Sequence, residues 1–344
     1  MPASGLDRVD QAVQIAGAYF ESRNYERARE VLSRSLAEHP NDPGLLAQHA
    51  RAEYLLKNYS GAARSAYAAL SAAPQDELAM RVYAASLDAL GRGHDALWMA
   101  WRTVIAHPHA PLAYRVYAGL LRKSRHFSSA LQVVDEELRL DPASPDALVL
   151  RGMILTELGR IQESDASYRQ ALTLDPGNAE ALNNMAVNRL RSGKFAPALR
   201  GFLGAAGSDP ALGDLVRRNI GVVLRRVLAL VTIGAGLLGF LVAIAAGMHG
   251  GGHPTAALRV VIALITVALI AVLGWLRRAI PRQVLASVLR KQYFVAVRIA
   301  HAVAAVAAGA WITVFPGPLA MVPVGTILVI GALILFRVGL YIGR

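Results

Sequence analysis

The chain has no cysteine, so disulfides, thiolate nucleophiles and Cys-ligated zinc are excluded together. Acid is confined to one part of it: all 24 Asp and Glu lie at or before Asp214, and residues 215–344 hold none. Serine is also absent from 227–276 and 299–344, the most apolar stretches. Without carboxylates those stretches offer no proton or cation relay, and without Ser or Asp no familiar intramembrane protease. No H-E-x-x-H, P-loop, dinucleotide-binding glycine pattern or G-x-S-x-G nucleophile occurs. Nothing marks an enzyme, a cofactor or a metal site. Charge is scarce, 17% of residues against 54% hydrophobic, where soluble domains carry about 25% charged residues. Both disorder and an ordinary cytosolic enzyme are excluded.

The charge that exists is unevenly placed. A net +12 suggests nucleic acid until it is mapped. Residues 1–214 carry 23 Lys and Arg against 24 acids, a net of −1, whereas 215–344 carry +13. Those 13 flank long apolar runs, as in membrane proteins, so no nucleic-acid partner is expected. The 32 Arg against 4 Lys, with abundant Ala, fit a GC-rich bacterial coding bias.

Internal repetition is the strongest signal. Pro40, Pro74, Pro108, Pro142, Pro176 and Pro210 follow one another at a constant interval of thirty-four positions. Ala16, Ala50, Ala84, Ala118, Gly152 and Ala186 keep the same spacing, as do Ala28, Ala62, Ala96, Ala130, Ser164 and Ala198. Each unit reads as two amphipathic helices that bury their apolar stripes only against neighbours. Small side chains midway along the first helix and early in the second let the axes approach. Leu32, Tyr168, Leu182 and Phe202 fill the space around the crossing, and the proline ends the second helix. Gly91, Gly159 and Gly193 fall near the turn within a pair, where a left-handed residue is wanted.

This pattern resembles the tetratricopeptide repeat family over about residues 9–212. The closest copy carries Leu182, Asn184, Met185, Ala186, Gly193, Ala198, Phe202, Ala205 and Pro210; His49 and Tyr83 stand where the family prefers Leu. The resemblance implies an all-α fold, a TPR-type α-solenoid whose helix pairs form a right-handed superhelix. Its first helices would line a concave groove that binds peptides or helices. In that register Arg51, Arg81, Arg115, Arg122 and Lys123 fall mid-groove, with Asp10 and Glu21 toward one end and Glu157 and Glu180 toward the other. Arginine binds carboxylate bidentately, so the expected ligand is a protein or peptide with an acidic segment or a free C-terminal carboxylate. A solvated face is the competing reading. Asn183 and Asn184 are further groove candidates, because groove asparagines in the family hydrogen-bond a peptide backbone. The family's carboxylate-clamp pattern for chaperone tails is not reproduced.

The expected organisation is an N-terminal tail at 1–8, six repeats at 9–212, a capping and linker helix at 213–226, and a transmembrane helical bundle at 227–344. Leu212, Leu215, Val216, Ile220 and Val223 of the linker would cover the last repeat. Four apolar runs suggest spans at about 227–248, 256–276, 298–315 and 319–337, each near the ~20 residues that cross a bilayer. The last two would alternatively form a re-entrant hairpin, divided by Pro316, Gly317 and Pro318. Ala235, Gly239, Ala243 and Gly247 make one small-residue stripe suited to close helix packing, and leave room for homo-oligomers through the membrane helices. A compositional origin of the stripe is the alternative.

Arg217, Arg218, Arg225 and Arg226 precede the first span, and the second loop is rich in Arg, whereas the first holds only Arg259 and the third no charge. The positive-inside rule then places both termini in the cytoplasm of a multi-pass inner-membrane protein. The start of the chain holds Asp7 and Asp10 and no apolar core, so it does not read as a signal peptide. Trp275, Tyr293, Phe294, Trp311, Phe315 and Tyr341 fall near the expected interfaces. Residues 281–292 read as a surface amphipathic segment, with Val284, Leu285, Val288 and Leu289 on one side and Gln283, Ser287, Arg290 and Lys291 on the other. The basic loop 277–298 is therefore expected to meet anionic lipid.

The histidines offer little. His249 and His253 sit in a Gly-rich turn with no carboxylate nearby, and His301 reads as a polar group satisfied by a neighbouring helix. Thr232, Thr266, Thr313 and Thr326 read as hydroxyls bonded within their own helices. The leading expectation is a membrane-anchored adaptor that recruits or organises a protein partner. The alternative is a TPR-regulated membrane transporter or channel component.

Overall fold

The structure, a computed structural model, describes residues 5–209, 213–282, 285–286, 289, 293–315 and 319–342. The stop at Pro210, the breaker Pro316–Pro318, most of the amphipathic segment 281–292 (including Gln283, Val284, Ser287, Val288, Arg290 and Lys291) and Arg344 lie outside them, as does the Tyr341 side chain. Among the described residues there are sixteen helices and no strand.

Twelve helices form six pairs: α1 (Gly5–Glu21) with α2 (Tyr25–Glu38), α3 (Pro43–Leu55) with α4 (Tyr59–Ala72), α5 (Glu77–Ala89) with α6 (Gly93–Ala106), α7 (Pro111–Lys123) with α8 (Phe127–Leu140), α9 (Pro145–Glu157) with α10 (Ile161–Leu174), and α11 (Ala179–Arg191) with α12 (Phe195–Ser208). From Glu21 onward every start and end recurs at the interval of the prolines. The second helices of the first five pairs stop two residues before Pro40, Pro74, Pro108, Pro142 and Pro176, because proline has no N–H to continue the ladder. Asp42, Asp76, Ser144 and Asn178 each accept the backbone N–H three residues on, starting α3, α5, α9 and α11.

The turn inside each pair holds one left-handed residue. Arg23, Lys57, Gly91, Arg125, Gly159 and Gly193 have φ between 56° and 82°. The three glycines fall where a left-handed residue was expected. Arg23, Lys57 and Arg125 take the same conformation with a Cβ, at a cost of about 1–2 kcal/mol each.

The chain divides into two compact units, Met1–Ala181 and Leu182–Arg344. In the first, consecutive helices pack on each other, and α1, α3, α5, α7 and α9 also touch in series, so they line one face. The small series is the reason they pack closely. Ala16, Ala50, Ala84 and Ala118, and Ala28, Ala62, Ala96 and Ala130, are fully buried. The fifth pair varies the theme. Gly152 has no room for a Cβ because the Tyr168 ring lies on it, and the Ser164 hydroxyl donates to the Gly152 carbonyl at 2.7 Å.

The second unit joins most of the sixth pair to four long helices: α13 (Gly213–Gly250), α14 (Ala256–Ala279), α15 (Tyr293–Val314) and α16 (Met321–Ile342). All four are long and apolar enough to cross a membrane. The linker and the first run are one uninterrupted helix of 38 residues. Of the residues expected to cover the last repeat, Val216, Ile220 and Val223 are buried, together with Leu224, whereas Leu215 is exposed and Leu212 lies outside the described residues. α13 packs on α12, α14, α15 and α16.

Candidate functional site

The face lined by the odd helices carries a cavity of about 480 Å³. Its apolar floor is Val116, Leu120, Val149, Leu150 and Met153, and its polar rim is Tyr54, Asp88, Arg115, Arg122, Lys123, Asp146 and Glu180. Three of the five cations expected mid-groove therefore meet in one place, with Glu180 from the expected acidic end. Arg81 stands apart, its Nε donating to Glu77 at 2.9 Å, and Arg51 lies over the Phe20 ring at 4.2 Å.

The cavity is charge-compensated rather than basic. Arg115 donates to Glu137 at 2.5 Å, to Asp146 at 2.9 Å and to the Ser144 hydroxyl at 2.6 Å. Lys123 reaches Asp88 across the pairs at 2.8 Å. Arg122 differs: its Nε is buried without a hydrogen-bond partner. Burial pushes the Glu180 carboxyl up, Asp146 adds to the rise, and Arg122 opposes it. The chemistry on offer is an apolar trough edged by Arg122, whose Nε lacks a partner, and by Glu180.

Glu137 is the residue that reasoning from the sequence missed. It is fully buried, and its Oε2 has no partner. Burial pushes its pKa up to about 7 despite the opposing Arg115 guanidinium. The signal was present. In the repeat register Glu137 is equivalent to Ala69, Thr103, Ala171 and Ala205, all buried, so a carboxylate there had to be buried as well.

In the second unit, Asn183 is buried: its side-chain oxygen accepts from Asn219 of α13 at 2.9 Å, and its amide donates to Asn184. Asn183 therefore holds α13 instead of facing a groove, and Asn184 is the half-exposed member of the two. Of the small-residue stripe, Ala235 is fully buried, and Gly239 and Ala243 face Gly325 of α16 so closely that a Cβ on Gly325 would strike both. Gly247 faces open space.

The polar groups of the long helices are satisfied mainly by backbone. Thr232, Thr266, Thr313 and Thr326 each donate to the carbonyl four residues back. His301 Nε2 lies 2.9 Å from the Leu328 carbonyl, and Arg259 donates to the last carbonyls of α15, those of Ile312, Thr313 and Val314. Arg298 is buried, donates to the Arg225 and Leu335 carbonyls at 3.1 Å, and stacks on Phe294. Two clefts flank α14. One, of about 590 Å³, sets Arg277, Arg278 and Arg282 around Ile270, Ala271 and Gly274. The other, of about 670 Å³, lies between α13 and α14. No group of three His, Cys, Asp or Glu suited to a metal occurs among the described residues.

Residues 9–52 and 118–179 match models of the tetratricopeptide repeat. No curated protein matches the chain by sequence. Among solved structures it is similar to pilF of Pseudomonas aeruginosa, at 15% identity and a TM-score of 0.50, over 60% of this chain and 95% of that one. It is also similar to a chain of the APC/C hetero-tetramer Cut9–Hcn1, at 14% identity and 0.54, over 63% of this chain and 45% of that one. A third, an IFIT1 monomeric mutant with m7Gppp-AAAA, matches at 15% identity and 0.54, over 60% and 52%. One of these was solved with a protein partner and another with a capped oligonucleotide, so the likeness establishes the fold alone. Residues 9–52 and 118–179 thus match the tetratricopeptide repeat, whose helix-pair geometry recurs through all six pairs, and four long apolar helices follow.

Proposed function

We propose that the chain is a membrane-anchored adaptor: the repeats hold a protein or peptide partner in the cavity of the odd helices, and α13–α16 fix it at the cytoplasmic membrane. The observation that carries this reading is Arg122. Arg122 is half-buried with its Nε enclosed and without a hydrogen-bond partner, whereas the neighbouring Arg115 and Lys123 already have acids of their own; the outer nitrogens of such a guanidinium can grip a carboxylate in bidentate geometry. The preferred ligand is therefore an extended segment with one acidic group, a side chain or a C-terminal carboxylate, set among apolar residues. Arg277 and Arg278 at the end of α14, with Arg282 just beyond it, support the orientation, because cations gather on the cytoplasmic side and attract anionic lipid there.

A peptide array presented to the full-length protein in nanodiscs tests the groove. Peptides with free C-termini should bind better than their amidated forms, and Arg122→Gln should remove the difference. Equal binding by Arg122→Gln and the parent would end the proposal. Solute flux into liposomes carrying the purified protein would instead favour the transporter reading.

A further inference from the structure

The cleft between α13 and α14 is lined by carbon for most of its depth. Val231 and Gly234 form one wall, Ile265 and Leu269 the other. It narrows at its inner end, where Leu269 lies 3.2 Å from the place a Cβ on Gly234 would occupy. Its mouth is different. The turn of the sixth repeat brings Lys194 there, opposite Trp275 on the last turns of α14. Among the described residues the Lys194 ammonium has no carboxylate partner, and no acid follows Asp214. From Val227 at the mouth to Gly234 the cleft runs about 10 Å.

We infer that this cleft is a specific site for one acyl chain of an anionic phospholipid, whose headgroup pairs with Lys194. Water does not fill it, because below the mouth nothing offers the hydrogen bonds that a buried water needs. A further transmembrane helix does not fit either, being about 10–12 Å wide and far longer than this short trough. A single chain with a negative head meets both ends: apolar walls below, an unpaired cation and an indole at the interface above. The lipid would then touch the repeat array itself, through the turn at Gly193–Lys194, and not only the spans. The inference rests on the reading of α13 and α14 as membrane-spanning.

Brominated lipids, which quench tryptophan on contact, test it in the full-length protein. Two single-tryptophan forms are made: one keeps Trp275, the other keeps Trp311, which is 49% exposed on α15 and away from this cleft. Each is reconstituted in phosphatidylcholine with increasing brominated phosphatidylglycerol, and in the reverse mixture. Trp275 should favour phosphatidylglycerol by about five-fold, the worth of one Lys beside an anionic headgroup. Lys194→Gln should bring that ratio to about one, and Ala268→Leu, which fills the trough, should lower quenching by both lipids. Trp311 should show no preference throughout. Equal quenching of Trp275 by both lipids, or no quenching of it while Trp311 is quenched, overturns the site. If neither tryptophan is quenched, the membrane-spanning reading itself fails.

Discussion

Glu137→Gln should stabilise the fourth helix pair at neutral and alkaline pH and flatten its dependence on pH. The Glu137 carboxyl has an ordinary value of 4.5 and is pushed up to about 7 in the folded protein. Between those values the folded state holds a proton that the unfolded chain has released, so stability falls as pH rises across the interval, and the loss is complete above about pH 7. At about 1.4 kcal/mol for each pH unit the full penalty is about 3.5 kcal/mol. Glutamine keeps the acceptor for Arg115, which also retains Asp146 and Ser144, and it never ionises. Native-state hydrogen exchange on peptides covering α7–α9 of the full-length protein, corrected for intrinsic rates, reads the opening free energy. The parent should lose about 2–3 kcal/mol between pH 5 and pH 8, and Glu137→Gln much less. A parent that gains stability over that range, or a variant that loses it in parallel, would refute the claim that burial outweighs Arg115 at this position.

Gly325→Ala should disrupt the α13–α16 contact by about 1–3 kcal/mol, lowering the monodisperse fraction in detergent, whereas Gly247→Ala should be silent. A defect of equal size in both would mean that the stripe is not packed as described. Arg125→Gly relieves a left-handed residue and should raise the opening free energy around α7–α8 by a few tenths to about 1 kcal/mol; a loss of stability would show that the side chain contributes more than its strain costs. Because the chain lacks cysteine, His253→Cys gives a single thiol in the loop between α13 and α14, which the proposed orientation puts outside. It should react with an impermeant maleimide in intact cells, while Lys57→Cys should react only after lysis, and the opposite pattern reverses the topology.

The repeat geometry was legible because its grammar is local. Evenly spaced prolines and small residues in a fixed register specify where helices stop and how closely they pack, and helix ends two residues before five prolines follow from that. The left-handed turns were legible only where glycine fills them. Arg23, Lys57 and Arg125 show that register imposes the conformation even on residues that resist it. The cavity was half legible. Its cations were placed, but their neutralisation by Asp88, Glu137 and Asp146 depends on neighbours 22 to 35 residues away in sequence, met only once the pairs stack. The same applies to Asn183, whose partner Asn219 lies 36 residues on, beyond the repeats.

The unbroken course of α13 has a mechanical consequence. At 1.5 Å per residue its 38 residues extend about 57 Å, roughly twice what hydrocarbon requires. Asn219 to Asn183 and Arg226 to the Leu190 carbonyl bolt its first half to the sixth helix pair. Between Gly213 and Gly250 the helix is unbroken. On the membrane-anchored reading proposed above, the sixth helix pair and the first span would move as one rod, so a load on that pair would reach the far end of α13 without a hinge between.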